Sequence, residues 1–140
     1  MRIEIELGKQ CRPVVDSFYE RNSSKGRARD DDVFFLAFES NILIGCVRYC
    51  IEQGTPLLRT MMIDKDHRGK RVGQRLLLAF AGYLEREKIS NVYCLPYAHL
   101  EKFYGSIGFE KIPDEDAPDF LHWRMKSYAQ TEANICMRRP

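Results

Sequence analysis

The stretch from Met61 to Leu84, MMIDKDHRGKRVGQRLLLAFAGYL, constrains the fold of this chain more than any other. It begins with apolar residues that end a strand. It then passes through a short turn carrying His67, Arg68, Gly69, Lys70, Arg71 and Gly73, and continues as an amphipathic helix. Val72, Leu76, Leu77, Phe80 and Leu84 recur at helical spacing and form one stripe to be buried, whereas Gln74, Arg75, Glu85 and Lys88 fall largely outside it. After Lys88-Ile89-Ser90-Asn91 closes this helix, Val92 to Leu95 supplies the next strand. Strand, helix and strand make a parallel crossover, which is right-handed almost without exception.

The turn also has a chemical meaning. A helix start leaves its first backbone N–H groups without internal partners and carries the positive end of the helix dipole, so it suits an anion, phosphate above all. Gly69 and Gly73 let the chain bend and let a pyrophosphate approach, while Arg68, Lys70, Arg71 and Arg75 add positive charge. A solvated connection with no ligand is an equally ordinary reading of such a turn. Other phosphate loops fit worse, because neither G-x-x-x-x-G-K-[ST] nor G-x-G-x-x-G occurs.

Before this stretch, RIEIEL at residues 2 to 7 alternates as a half-buried strand, and Gly8 to Glu20 reads as a helix with Val14, Val15, Phe18 and Tyr19 at helical spacing and Pro13 near its start. Arg21 to Asp32 reads as a mobile loop. Val33 to Phe38 and Ile42 to Ile51, separated by Glu39-Ser40-Asn41, predict a hairpin, and Leu57 to Ile63 a third strand reached through Gln53-Gly54-Thr55-Pro56. After Val92 to Leu95 come a short helix carrying Phe103 and Tyr104, a strand at Phe109 to Ile112, and an acidic loop from Asp114 to Asp119. A helix over Phe120 to Ala129 and a terminal strand over Ala133 to Arg138 follow.

Composition limits the function classes. The 140 residues suit a single domain over 1–140, and a net charge of +2 is too small for a dedicated nucleic-acid binder. No apolar run approaches a membrane span, and the N-terminus lacks the apolar core of a secretion signal, so a cytoplasmic location is the default expectation. The five cysteines lie mostly in strand-like runs without C-x-x-C spacing and read as small buried residues, with neither a disulfide nor a zinc site expected. A thiol nucleophile would need His67, His99 or His122 as its partner.

Two segments together carry a family resemblance. Arg68-Gly69-Lys70-Arg71-Val72-Gly73 resembles the R-x-x-G-x-G acyl-CoA loop of the GNAT family of N-acetyltransferases, and Phe103-Tyr104-Gly105-Ser106-Ile107-Gly108-Phe109 resembles that family's FYxxxGF signature. They stand in the family's order and at about its distance. One departure is present, since Arg71 occupies the place of the first glycine. The resemblance is best from Val33 to Ile112. It implies an α+β acyl-CoA N-acyltransferase fold, with a central mixed, mostly antiparallel sheet, a parallel βαβ unit and helices on both faces.

The resemblance further implies acetyl-CoA as cosubstrate, without a metal, and transfer of its acetyl group to a primary amine. The amine would belong to a small molecule, a peptide N-terminus or a lysine. By position, Met62 and Ile63 correspond to the strand residues that pair with the pantetheine arm and the thioester oxygen. Arg68, Gly69, Lys70, Arg71, Val72, Gly73 and Gln74 correspond to the pyrophosphate loop, and Tyr104 to the tyrosine that protonates the CoA sulfur. Packing against Phe103 and Phe109 is the rival role for Tyr104.

No base for the amine stands out. Several family members carry a glutamate near the position of Leu57, and Glu39, Glu52 and Glu101 read rather as solvent-facing charges. A non-catalytic acyl-CoA sensor or scaffold is therefore the alternative. A nucleic-acid module using the turn as a phosphate patch lacks the aromatic and basic stripe it would need. The acidic loop Asp114 to Asp119 reads as a solvated turn or as an attractant for a cationic amine. The partners expected are acetyl-CoA and an amine acceptor, with no nucleic acid or membrane, for a monomer or homodimer.

Overall fold

Strands β1 (Arg2–Leu7), β2 (Val33–Glu39), β3 (Ile42–Glu52) and β4 (Thr55–Ile63) form an antiparallel meander in the computed structural model, which describes residues 1–128 and 133–140. Ser40 and Asn41, with φ of 49° and 64°, make the two-residue turn between β2 and β3 whose twist suits a hairpin. Helix α2 (Val72–Arg86) then crosses to β5 (Val92–Cys94), which lies parallel to β4. Strands β6 (Glu110–Ile112) and β7 (Cys136–Arg139) complete one seven-stranded sheet in the order β1-β2-β3-β4-β5-β7-β6. Helices α1 (Gly8–Arg21), α3 (Glu101–Gly105) and α4 (Asp119–Tyr128) fill the remaining connections. The α+β class, the mixed sheet and the crossover match the sequence reading. The helix expected to reach Ala129 is seen to Tyr128, and Ala129 lies outside the described residues.

Strand alternation sorts the core into two faces. Phe35, Ala37, Ile44 and Val47 point to one face and meet Leu76, Leu77, Phe80 and Leu84 of α2, all fully buried. Burying each such side chain contributes about 1.5–3 kcal/mol, which fixes α2 on the sheet. Phe34, Leu36 and Cys46 point the other way and meet Cys11, Val15, Phe18 and Tyr19 of α1. Helix α4 extends that second layer, with Leu121 and Met125 packed on Cys50, Leu57 and Cys136.

Three local expectations are corrected. The buried stripe of α1 includes Cys11 in place of Val14, which is 50% exposed. Pro13 lies inside α1 and not in its first turn, because the helix already begins at Gly8, whose N–H donates to Asp32 C=O at 2.8 Å. The segment 22–32 is tied down where a mobile loop was expected: Ala28 is buried and its N–H donates to Asp16 Oδ1 at 2.8 Å, and Arg29 N–H donates to Asp32 Oδ2 at 2.9 Å. A polar composition hid these contacts because they run from loop backbone to carboxylates.

Candidate active site

β4 is paired on both edges only at its start. It meets β5 at Leu57 opposite Tyr93, and from there the two strands part. The chain after β5 turns toward the β7 side instead, where Ile135 N–H donates to Pro96 C=O at 2.9 Å and Ala98 N–H to Ala133 C=O at 3.0 Å. Among the described residues, the β4 edge from Leu58 to Ile63 therefore has no strand beside it. A cavity of about 420 Å³ opens in the gap, with Leu58 and Met61 on one wall, Cys94 and Leu95 on the other, and Tyr104 at its side.

A bulge interrupts β4 at the same place. Arg48 pairs with Arg59 and Cys46 with Met62, so Thr60 and Met61 together oppose Val47. Thr60 has φ of 52°, a left-handed conformation that a β-branched residue takes only under strain of about 1–3 kcal/mol. Tyr19 Oη donates to its carbonyl at 3.4 Å. Beyond the bulge, Asp64 N–H donates to Ile44 C=O at 2.7 Å, and alternation along the strand then turns the N–H and C=O of Ile63 to the open edge. Arg68 Nε, arriving from that side, donates to Ile63 C=O at 3.2 Å. Met62, one residue earlier, directs its own backbone groups to β3 and its side chain to the α1 layer.

The basic turn closes one end of this edge. Gly69 and Arg71 both adopt left-handed φ, 78° and 64°, and Arg71 is the residue that caps α2. This explains the usual glycine there, and the chain keeps the geometry while carrying a side chain at the position. Val72, Gly73 and Gln74 form the first turn of α2, and no side chain caps their N–H groups. Val72 is buried in the core, and Gly73 is needed for packing: a Cβ there would stand 3.1 Å from Phe103 Cζ of α3. Lys70, Arg71 and Arg75 are exposed and form no ion pair among the described residues.

Tyr104 is buried, with its ring edge-on to Phe103 and Phe109 at centroid distances of 5.0 and 6.3 Å. Its hydroxyl makes no hydrogen bond with the described residues. Burial, with a smaller contribution from Cys94, pushes the phenol pKa above its ordinary 10, so the group stays protonated through the neutral range. This placement shows the packing contacts of the rival role, and it also sets Tyr104 on the cavity wall.

The open edge of β4 and Tyr104 of the second motif stand around one cavity, the basic turn follows the far end of that strand, and the model of the acetyltransferase (GNAT) domain matches residues 30–111, more than half of the chain. The chain belongs to the GNAT acetyltransferase family. Solved structures of similar fold include Escherichia coli ElaA, at 18% identity over 100% of both chains with a TM-score of 0.69. An acyl-CoA N-acyltransferase from Pseudomonas aeruginosa, at 18% identity over 100% of both chains, gives 0.66. The catalytic domain of Tetrahymena GCN5 histone acetyltransferase in complex with coenzyme A is 11% identical over 99% of this chain and 92% of that one, also with 0.66. No curated protein sequence matches the chain significantly.

A second cavity, of about 780 Å³, adjoins the first and shares Arg59, Thr60 and Tyr97 with it. Its walls come from segment 22–32, read from sequence as a loop whose counterpart in the resembled family borders the acceptor site, and from β3 and β4, whose basic residues the sequence reading did not bring together with it. Glu52, read from sequence as a solvent-facing charge, has a side chain only 13% exposed and accepts from Arg59 Nη1 and Arg124 Nη2, each at 2.6 Å. Burial works to raise its pKa, but Arg124 and Arg59 outweigh burial and hold it below the ordinary 4.5. Glu39 and Glu101 are exposed, and the loop Asp114 to Asp119 lines neither cavity. The cysteines, all free and buried, have thiols shifted upward by burial, to about 11 for Cys50, so none is a ready nucleophile. No group of residues suited to a metal ion occurs among the described residues, and none of their helices is long and apolar enough to cross a membrane.

Proposed function

We propose that the chain, as a single domain over residues 1–140, transfers an acetyl group from acetyl-CoA to a primary amine by direct attack of the amine on the thioester. The observation that carries this reading is the open edge of β4 facing Tyr104 across the first cavity. Ile63 backbone groups on that edge would hold the pantetheine arm, with Met62 completing the strand end. The uncapped N–H groups at Val72, Gly73 and Gln74, with Arg68, Gly69, Lys70 and Arg71 before them, would hold the pyrophosphate. The family resemblance and the coenzyme A of the Tetrahymena structure support this placement.

In the reaction the amine nitrogen bonds to the thioester carbon, the C–S bond breaks, and the sulfur takes a proton. Backbone donors aimed at the developing oxyanion are worth about 2.7–4 kcal/mol each in acyl transfer generally. Tyr104, kept protonated by its burial, would supply the hydrogen bond and proton at the sulfur. The amine proton would leave through water, since Glu52 is held as a carboxylate by two arginines and its lowered pKa makes it a poor acceptor. That same engagement of Glu52 favours a second reading, an acyl-CoA-binding sensor without turnover.

Calorimetric titration with acetyl-CoA, using CoA and ATP as comparisons, tests the cosubstrate; binding of ATP as tight as that of the CoA compounds would reject it. Turnover then separates enzyme from sensor. Tyr104→Phe is expected to lower kcat by on the order of a hundredfold with acetyl-CoA affinity retained. Unchanged kcat would return Tyr104 to a packing role. Gly73→Val is the weaker probe, because its branched side chain meets Phe103 before it reaches any ligand.

A further inference from the structure

We infer that the second cavity receives an acid group of the acceptor, so that the substrate is a small amine bearing a carboxylate. This deepens the acyl-transfer reading and rests on it for the position of the reacting amine. The walls bring together Lys25, Arg27, Arg29, Arg48 and Arg59 against only Asp32 and Glu52.

Both carboxylates are paired with arginines, and of their four oxygens Asp32 Oδ1 alone is buried without a hydrogen bond among the described residues. Asp32 Oδ2 accepts from Arg48 Nη1 at 3.2 Å and from Arg29 N–H at 2.9 Å, and Glu52 is clamped between Arg59 and Arg124. Lys25 and Arg27 have no carboxylate partner among the described residues. Arg48 is only 6% exposed, and its Nε is a buried donor without a hydrogen-bond partner. A concave wall with unbalanced positive charge concentrates potential and draws anions. A carboxylate, with two coplanar oxygens, matches guanidinium geometry and adds charge-assisted hydrogen bonds.

The location links this charge to the chemistry. The two cavities meet at Arg59, Thr60 and Tyr97, beside the bulge where β4 turns its edge open. An acid held among Lys25, Arg27 and Arg48 extends its amine across the bulge toward the thioester. A polycationic amine in the same place meets like charge. The acidic loop at Asp114 to Asp119, which would favour such a cation, is outside both cavities.

Two readouts on the purified chain test the inference. Glycine is compared with glycinamide, β-alanine with its amide and L-glutamate with L-glutamine, beside phosphoethanolamine and spermidine. The compounds are scored by thiol release from acetyl-CoA and, separately, by calorimetric titration without acetyl-CoA. At least one acid is expected to outrank its amide by on the order of tenfold, with the ratio shrinking as salt rises. The Lys25→Gln, Arg27→Gln double variant is expected to narrow that ratio, and Arg27→Lys to keep it. Equal ranking of acid and amide overturns the inference. So does a preference for spermidine or phosphoethanolamine, or the absence of a saturable signal for every acid in both readouts. Failure of acetyl-CoA to bind rejects the acyl-transfer reading alone, because the acid ranking by calorimetry is measured without it.

Discussion

The basic residues that follow β4 and those that stand beside it carry the same charge in opposite circumstances. Lys70, Arg71 and Arg75 are exposed and without ion pairs among the described residues, so water solvates them in the folded and unfolded chain alike. Arg48 has a side chain only 7% exposed and meets an Asp32 side chain that is 1% exposed, while Arg59 and Arg124 share Glu52. The first group offers charge to a ligand at little cost to the fold. In the second, charge and fold are inseparable, since each cation removed from water depends on its carboxylate.

The largest effect should come from breaking the buried pair. Asp32→Ala leaves Arg48 charged and buried without its carboxylate, keeping among the described residues only the bond to Arg27 C=O, and is expected to cost about 3–5 kcal/mol in urea unfolding. Lys70→Ala in the exposed turn should stay within about 0.5 kcal/mol. Similar costs for the two variants would erase the contrast. Glu52→Ala comes next, at about 1.5–3 kcal/mol, because it deprives two arginines of a partly buried acceptor.

Acidification sharpens the same point without a mutation. A carboxyl whose pKa is lowered by folding stabilises the protein above its unfolded value, and that stability is lost as pH falls through the folded value. Glu52 lies below 4.5, so unfolding free energy should fall as pH drops below about 4.5, and Glu52→Gln should make that fall shallower. A variant with the same pH slope as the parent would remove Glu52 from the account. On the exposed side, Arg71→Gly relieves a left-handed residue and should stabilise by about 1 kcal/mol, read as a rise in Tm. The smallest effect is ionic. Acetyl-CoA affinity should weaken severalfold when the Debye length shrinks from about 30 Å at 0.01 M to about 10 Å at 0.1 M salt, with unfolding free energy nearly constant. Salt-independent affinity would argue against use of the exposed charges.

The same contrast explains what could be read in advance. The α2 stripe and the basic turn are contiguous in sequence, so period and composition revealed them before any contact was known. The pairing of Asp32 with Arg48 joins residues 16 positions apart, and the run Asp30-Asp31-Asp32 looks wholly solvated until β3 is laid beside it. Thr60 gives no sign of a bulge, since neither glycine nor proline marks it. Its left-handed φ is imposed by β3 pairing with β4 on both sides of the extra residue. In α1 the inner face takes Cys11, read from sequence as a small buried residue but not placed in the helical stripe, and not Val14, because a thiol packs as a small apolar group.

Those thiols have a practical consequence. Cys11, Cys46, Cys50, Cys94 and Cys136 are spread over α1, β3, β5 and β7, with two of them on β3, each at most 3% exposed, and burial keeps every one from ionising at neutral pH. An alkylating reagent therefore finds little thiolate on the native molecule and ordinary thiolate on an opened one. A brief pulse of such a reagent followed by mass measurement would record, element by element, which part of the sheet opens first, with no label added to the chain.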